Sequence, residues 1–279
     1  MSEAPPRATA GTDAVAVRSS ARRRQRRDLF QAVGLPLLSF VALIAFWEFA
    51  ISAFQVPEYI VPAPSKFIAR FYEARQLLWD HGRVTGGEVL EGFALAAVVS
   101  VPLALAIASV KVVERALYPL IIFLQLIPKI AVAPLFIVWF GFGPFPKVLL
   151  TFLLCFFPIL VNSMTGFKSL DPRLLYLTRS MGARPWQTFV FIRLPAALPF
   201  IFSGLKVAIV LAVTGAIVAE FVGSNAGLGY LLLRASSNLD TALIFAVLIA
   251  LSVMGPVLSY GVEAAEQLVM PWQRKRKES

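Results

Sequence analysis

The 279-residue chain has few of the residues that build catalytic or metal centres. It contains one cysteine, Cys155, and one histidine, His81, which excludes a disulfide framework, a cysteine metal site and most histidine-based catalytic groups within one chain. The sequence also lacks a Gly-x-x-x-x-Gly-Lys-Ser/Thr phosphate loop and a Gly-x-Ser-x-Gly nucleophile elbow. These absences argue against an enzyme, and we expect neither a cofactor nor a bound metal ion.

Charge is also scarce: 15% of the residues are charged, 58% are hydrophobic and the mean hydropathy is +0.75. The apolar residues occur in long runs, which is typical of an integral membrane protein and excludes an ordinary soluble domain. The net charge of +10 lies largely at the two ends, beside apolar runs. Positive charge beside membrane spans sets topology, so we expect the lipid bilayer, and not nucleic acid, as the partner of this charge.

The apolar runs predict an all-α integral membrane protein with about six transmembrane helices. We expect a disordered basic N-terminus at 1–32, a first transmembrane helix at 33–56, an external proline-rich segment and surface helix at 57–83, and a basic tail at 267–279. The intervening core, 84–266, holds five predicted spans, at about 88–110, 117–140, 147–167, 196–220 and 241–262.

Two features inside the spans predict how they are built. Small residues recur every fourth position in the second span (Gly92, Ala96, Ser100, Ala104, Ala108) and in the fifth (Gly204, Ala208, Ala212, Ala216). Such stripes let helices approach closely, so both spans should be interior helices. Pro128 and Pro134 predict a kink or break near the middle of the third span.

The distribution of positive charge predicts the orientation. If both termini are cytoplasmic, 18 lysines and arginines lie inside and six lie outside. This asymmetry favours cytoplasmic termini, and two ends on one side require an even number of spans.

One polar and basic segment, Ser169–Pro199, separates two very apolar runs. Asp171 before Pro172 predicts a helix N-terminus, Gly182 predicts its left-handed end, and Pro185 can begin a second short helix. Physical chemistry alone leaves two interpretations of this segment, which consists of two short helices joined at a glycine elbow. It is either an amphipathic loop resting on lipid or a surface presented to a partner.

Gly182, followed after nine residues by Ile192 and then by Leu194-Pro195, resembles the cytoplasmic signature of the inner-membrane permeases of binding-protein-dependent ABC importers. The opening Glu-Ala-Ala of that signature falls on Tyr176, Leu177 and Thr178, so this half is absent. Val61-Pro-Ala-Pro-Ser65 and the stretch 127–141 resemble the sulfonate, nitrate and taurine permeases and the related riboflavin and thiamine-precursor permeases.

The resemblance implies a type I ABC importer permease fold, with a cytoplasmic coupling helix in loop 169–193 between the fourth and fifth spans. It implies a bacterial inner-membrane homodimer, two copies of a separate ATPase subunit, and a periplasmic substrate-binding protein. The substrate would be a small solute such as a sulfonate, nitrate, taurine or a vitamin precursor. The residues implied to contact the ATPase are Leu174, Leu175, Thr178, Arg179, Ser180, Met181, Gly182, Ala183, Trp186, Gln187, Leu194 and Pro195.

Ionisable residues inside spans are candidates for the transport pathway. Lys129 and Glu220 are such candidates, and no counter-ion for either can be named from the sequence. Glu48 near a helix end is more simply explained as hydrated, and Lys206 as extending to the membrane surface. The same reasoning treats His81 as an exposed interfacial residue.

Two other classes compete with an ABC permease. A secondary transporter or channel would work without an ATPase and would show internal inverted repeats, none of which is evident in the sequence. A membrane-embedded enzyme would need a cluster of polar residues that the chain does not display.

Overall fold

The computed structural model describes residues 34–272, and within that range the chain is helical and has no β-strand. This confirms the all-α prediction. The predicted basic N-terminus and the residues beyond Trp272 lie outside the described range. The helices are α1 (Leu35–Phe54), α2 (Pro64–Glu73), α3 (Arg75–Ser109), α4 (Lys111–Leu126), α5 (Ala133–Phe140), α6 (Pro144–Lys168), α7 (Pro172–Ser180), α8 (Pro185–Thr188), α9 (Leu194–Gly223), α10 (Leu228–Ser237) and α11 (Thr241–Val269).

The chain divides into two units after Phe67, and the first unit contains α1. With 20 residues, nearly all of them apolar, α1 is long and apolar enough to cross a membrane. Glu48 is its only charged residue. The Glu48 carboxylate accepts hydrogen bonds from the backbone N–H and the hydroxyl of Ser65, at 3.0 and 2.7 Å. This carboxylate is therefore satisfied by donors in the first turn of α2.

In the second unit, four helices are long and apolar enough to span a membrane: α3, α6, the continuous helix Pro185–Gly223, and α11. Between α3 and α6, α4 and the helical stretch Lys129–Phe140 meet at 78°, so that they form either a broken span or a re-entrant pair. Pro128 lies at this bend and has no N–H to continue the helical ladder. The predicted break in the third span is confirmed.

The core of the second unit is formed by α3, α6 and α9, and small residues allow their close contact. A Cβ atom added to Gly92 of α3 would lie 2.6 Å from Thr151 of α6, and one added to Gly204 of α9 would lie 2.9 Å from Asn162 of α6. The alanines of both predicted stripes are fully buried except Ala108, which is partly exposed. Both stripes therefore pack against α6, as close helix packing in a membrane requires.

The order of these contacts gives the helix directions. Along α3, Gly92 and Ser100 meet Thr151 and Phe156 of α6, so α3 and α6 are parallel. Along α9, Gly204 and then Gly215 meet progressively earlier residues of α6, so α9 is antiparallel to it. Because α3 and α6 point the same way, the bent stretch between them must cross the bundle once. The bent pair therefore completes six spans with α1.

Several boundaries differ from those expected. The surface helix ends at Glu73, and the second span is the C-terminal part of a helix that begins at Arg75. The third begins at Lys111 and the sixth extends to Val269. The glycine-rich stretch after α9 leads directly into helix α10. These ends lie where polar residues continue an apolar helix, which hydropathy alone does not detect.

The N-terminus of α11 is fixed by a charged contact outside the spans. Asp240 caps the helix by accepting the Leu243 N–H at 3.0 Å, and it also accepts a hydrogen bond from Arg70 at 2.7 Å. This hydrogen bond raises the pKa of Arg70 above its ordinary value. The pair connects the end of α2 to the start of the last span.

Candidate functional site

The first half of the Ser169–Pro199 segment is a capped helix that ends at a glycine elbow. The Asp171 carboxylate accepts the Arg173 N–H at 2.8 Å, which satisfies one free donor at the start of α7. After α7, Gly182 has a φ of +75°, and the Ala183 N–H donates to the Thr178 carbonyl at 3.1 Å. This is a Schellman end, and it confirms the predicted N-cap and elbow.

The second half runs into the fifth span without interruption. The Arg184 N–H donates to Gln187 Oε1 at 2.8 Å and fixes the first turn of α8. A π-helical turn follows, in which the Leu194 N–H donates to the Phe189 carbonyl. Pro195 has no N–H to donate, and the wider turn accommodates this loss. The loop was expected to end at 193 and the span to begin near 196, whereas the helix is continuous from Pro185 to Gly223.

Apolar side chains on this segment are exposed. Met181, Tyr176 and Phe191 are 78%, 70% and 68% exposed. Leu174, Leu177 and Trp186 are exposed as well. Among the α7 residues whose side chains the structure describes, none is buried. Exposed apolar side chains on a segment with basic residues fit either a protein-binding site or a surface that rests on lipid.

The predicted ATPase-contact residues divide into two groups. The exposed group contains Leu174, Ser180, Met181, Gly182 and Trp186, which a partner could contact. Thr178, Ala183, Gln187, Leu194 and Pro195 are partly buried and belong to the helix ends and the π-helical turn. Leu175 and Arg179 lie in α7. The exposed residues thus form the surface of this segment, and the partly buried residues hold its helix ends and its π-helical turn.

A second polar site lies at the opposite end of α6 and α9. We call Thr85, Glu88, Lys147, Glu220 and Ser224 the buried carboxylate network. Lys147 forms an ion pair with Glu88 Oε1, and its ammonium also donates to the Ser224 hydroxyl at 3.1 Å. Glu88 is 5% and Lys147 7% exposed. Such a pair is tolerated because each charge neutralises the other where water is excluded.

Glu220 holds the connection between α9 and α10. Its Oε1 accepts the Thr85 hydroxyl at 2.7 Å, and its Oε2 accepts the Gly229 N–H. Thr85 Oγ1 in turn accepts the Leu228 N–H at 2.7 Å. Gly227 has a φ of +107°, and a Cβ atom there would lie 2.1 Å from Glu220 Oε1. Glycine is therefore required for the backbone to approach this carboxyl group.

His81 supports the same connection, and its expected exposure is wrong. Its Nδ1 accepts the Gly227 N–H at 2.9 Å, and the side chain is only partly exposed. Beside this contact an open cavity of about 360 Å³ separates the turn before α6 from the end of α9. Its lining residues include Gly143, Lys147, Ser224 and Asn225. Water can therefore reach the edge of the buried carboxylate network.

The two predicted pathway residues have different environments. Lys129, at the break in the third span, donates to the Gln125 carbonyl at 2.8 Å and lies 4.9 Å from the centre of the Phe157 ring. Its side chain is partly exposed. Glu220 is 1% exposed and belongs to the buried carboxylate network. Lys206, in contrast, pairs with Glu266 of α11 and is partly exposed.

Sequence reasoning missed Glu88, Lys147 and Thr85 as site residues, although a signal for the first was present. Glu88 lies four residues before Gly92 and continues the small-residue stripe of α3. Glu220 similarly continues the stripe of α9 after Ala216. A stripe that ends on a carboxylate indicates that the charge faces a neighbouring helix.

The fold and the exposed segment define the class: a multi-pass helical membrane protein that presents a short helical segment with exposed apolar side chains. Residues 100–275 match the family model described as "binding-protein-dependent transport system inner membrane component". The chain is 36% identical to the formylaminopyrimidine transport permease protein ThiX of Halalkalibacterium halodurans over 242 residues, which is 86% of this chain and 96% of that protein. It is also 36% identical to the riboflavin transport system permease protein RibX of Chloroflexus aurantiacus, covering 90% and 94% of the two chains.

More distant similarity extends to other relatives and to a solved structure. A putative aliphatic sulfonates transport permease protein of Bacillus subtilis is 30% identical over 94% of each chain. The MetNI methionine ABC transporter, in an inward-facing conformation, superposes with a TM-score of 0.58 at 18% identity, covering 69% of this chain and 94% of that one. The similarity to MetNI shows the fold alone, which is that of a type I ABC importer permease.

The chain therefore belongs to the family of binding-protein-dependent transport system inner-membrane components. It is the membrane-embedded permease subunit of an ABC importer and not an enzyme, and the family membership does not favour a secondary transporter. An ATPase subunit and a substrate-binding protein are the partners that this family implies.

Proposed function

We propose that two copies of this permease enclose one translocation pathway and that two ATPase subunits dock on the Ser169–Pro199 segments. Both termini and this segment would face the cytoplasm, and a periplasmic binding protein would deliver substrate to the opposite end. The observation that carries this proposal is the exposed apolar surface of α7 and α8, held by a capped N-terminus and a glycine elbow.

The geometry supports a direct mechanical connection. Because α8, the π-helical turn and α9 form one helix of 39 residues, a displacement of the docked segment moves a rod of roughly 58 Å. The far end of that rod carries Glu220 and the connection to α10. Closure of the ATPase pair at one end would therefore shift the opposite end, as a rigid connector with two positions requires.

Lys129 and Glu220 remain the proposed pathway residues, with different roles. Lys129 lies at a broken helix and is partly exposed, which suits a residue that lines the pathway. Glu220 is enclosed in this conformation, and its effect on the pathway would be exerted by holding or releasing the turn between α9 and α10.

For the substrate, we favour a small nitrogen heterocycle of the vitamin or vitamin-precursor kind. Support comes from the relatives named for formylaminopyrimidine and riboflavin, which are 36% identical to this chain, compared with 30% for the sulfonate permease protein. Sulfonates and taurine are the alternatives. Mass spectrometry of the ligand that co-purifies with the cognate binding protein tests this choice, and a sulfonate in that protein would contradict it.

Co-purification tests the proposed assembly. The permease would be expressed with the ATPase encoded beside it and isolated in mild detergent. We expect a complex with equal numbers of permease and ATPase chains and a mass that fits two of each. A permease that transports its substrate while isolated without an ATPase would overturn the proposal and favour a secondary transporter.

A further inference from the structure

The hydrogen bonds of the buried carboxylate network leave one oxygen without a donor. Lys147 donates to Glu88 Oε1, while Thr85 and the Gly229 N–H donate to the two oxygens of Glu220. Glu88 Oε2 is fully buried and accepts no hydrogen bond from any residue between 34 and 272. An unpaired buried carboxylate oxygen is costly, and a proton on a neighbouring group would supply the donor.

That neighbour is a second carboxyl group. Thr85, whose hydroxyl bonds Glu220 Oε1, lies less than one helical turn before Glu88 on α3, which makes the two carboxyl groups neighbours, and both are at least 95% buried. If both were ionised, Lys147 would neutralise only one of them, and a net negative charge would remain away from water. Two adjacent carboxylates in such surroundings do not both ionise readily.

We propose that Glu88 and Glu220 hold one proton between them, carried by Glu220 and donated to Glu88 Oε2. Glu88 then stays ionised beside Lys147, the network becomes electrically neutral, and every carboxylate oxygen gains a donor. The Glu220 carbonyl oxygen still accepts from Thr85. A proton suits this position better than a metal ion because the Lys147 ammonium would repel a cation, and no group of three His, Cys, Asp or Glu side chains that could hold a metal is found among the described residues.

The charged groups around the pair are few. Lys147 of α6 faces both carboxyl groups, and Glu91, on the same helix as Glu88, is the remaining acidic neighbour that acts on Glu88. Glu91 is exposed and therefore provides a matched control. The proton would join α3 to α9 at the end of the bundle opposite the Ser169–Pro199 segment, and its loss in alkaline solution would place two negative charges beside each other.

Infrared spectroscopy of the purified full-length permease tests the proposal without measuring transport. The wild-type protein at neutral pH should show the carbonyl stretch of a protonated carboxylic acid, shifted in heavy water. Glu220→Gln should remove the band, whereas Glu91→Gln should retain it. In Glu88→Gln the band should disappear at a lower pH than in the wild type, because Glu220 then has no ionised carboxylate beside it.

The Glu88→Gln variant keeps the test independent of whether Glu220→Gln folds. A wild-type spectrum without the band, a band that survives Glu220→Gln, or a titration that Glu88→Gln does not lower would each overturn the proposal. Absence of the band together with a rise in the unfolding temperature in sodium but not in choline chloride would indicate a bound metal ion instead.

Discussion

The Thr85 hydroxyl lies 2.7 Å from Glu220 Oε1 and joins α3 to the far end of α9, the helix that begins in the exposed Ser169–Pro199 segment. The same Thr85 oxygen accepts the Leu228 N–H at 2.7 Å. One hydroxyl group thus connects three helices. The contact lies at the end of α9 farthest from the Ser169–Pro199 segment.

Thr85→Val keeps the shape of the side chain but removes both hydrogen bonds. Because the Leu228 N–H and Glu220 would then be buried with fewer partners, we expect a loss of about 1–3 kcal/mol in the free energy of unfolding. Denaturation in mixed detergent measures this value. Ser109→Ala is the control, since its exposed hydroxyl bonds only to Leu105 of its own helix. Equal stability of the two variants would show that the Thr85 contacts contribute little.

Gly227→Ala should disrupt the connection between α9 and α10. The new Cβ would lie 2.1 Å from Glu220 Oε1, and φ at this position is +107°, so both contact and backbone conformation oppose it. We expect poor yield of folded protein and a reduced unfolding temperature. Gly86→Ala, where nothing lies within 4 Å of the added atom, should be neutral or stabilising within a helix. Similar unfolding temperatures for both variants would contradict the described geometry.

The spans and the elbow could be predicted because their signals are local. Apolar runs set the number of spans, Pro128 indicated the bend, and Gly182 indicated the left-handed end of α7. Continuity through Leu194-Pro195 was missed because proline usually interrupts a helix, whereas here it follows a π-helical turn. The pairing of Glu88 with Lys147 joins residues in different spans, and no local pattern specifies which helices become neighbours.

Gly182 allows a test of the elbow without a steric clash. Nothing lies within 4 Å of an added Cβ atom, so only the φ of +75° restricts substitution. Gly182→Val should cost roughly 1–2 kcal/mol locally and lower transport while leaving ATP hydrolysis and the amount of folded permease largely intact. Gly182→Asn should retain transport, because asparagine tolerates the left-handed region. Assays in proteoliposomes with the ATPase and the binding protein measure both activities, and normal transport by the valine variant would contradict the role of the elbow.

The exposed apolar surface can be tested by introducing charge. Met181 is 78% exposed beside the elbow, and Met181→Glu would place a carboxylate in the proposed ATPase contact. We expect at least a tenfold loss of ATPase recovered with the permease, equivalent to about 1.4 kcal/mol of binding free energy. Leu239→Glu is the control. Leu239 is 67% exposed and follows α10, which lies after the end of α9 opposite to the Ser169–Pro199 segment. Full recovery of the ATPase with Met181→Glu would show that the ATPase binds a different surface of the permease.

Removal of Lys147 tests the balance of charge in the buried carboxylate network. Lys147→Met should lower the free energy of unfolding by about 3–5 kcal/mol, because it leaves the Glu88 carboxylate buried without its ammonium partner. Adding Glu88→Gln should recover much of that loss, since the remaining charge is removed as well. Lys66→Met should change stability by less than about 0.5 kcal/mol, because Lys66 and Glu58 are both exposed and 4.0 Å apart. Denaturation of the wild type, Lys147→Met, Glu88→Gln and the double variant in mixed detergent gives the coupling energy of Lys147 and Glu88 as a double-mutant cycle. A coupling near zero would mean that water or another group already compensates Glu88, and the ion pair would then have no structural role.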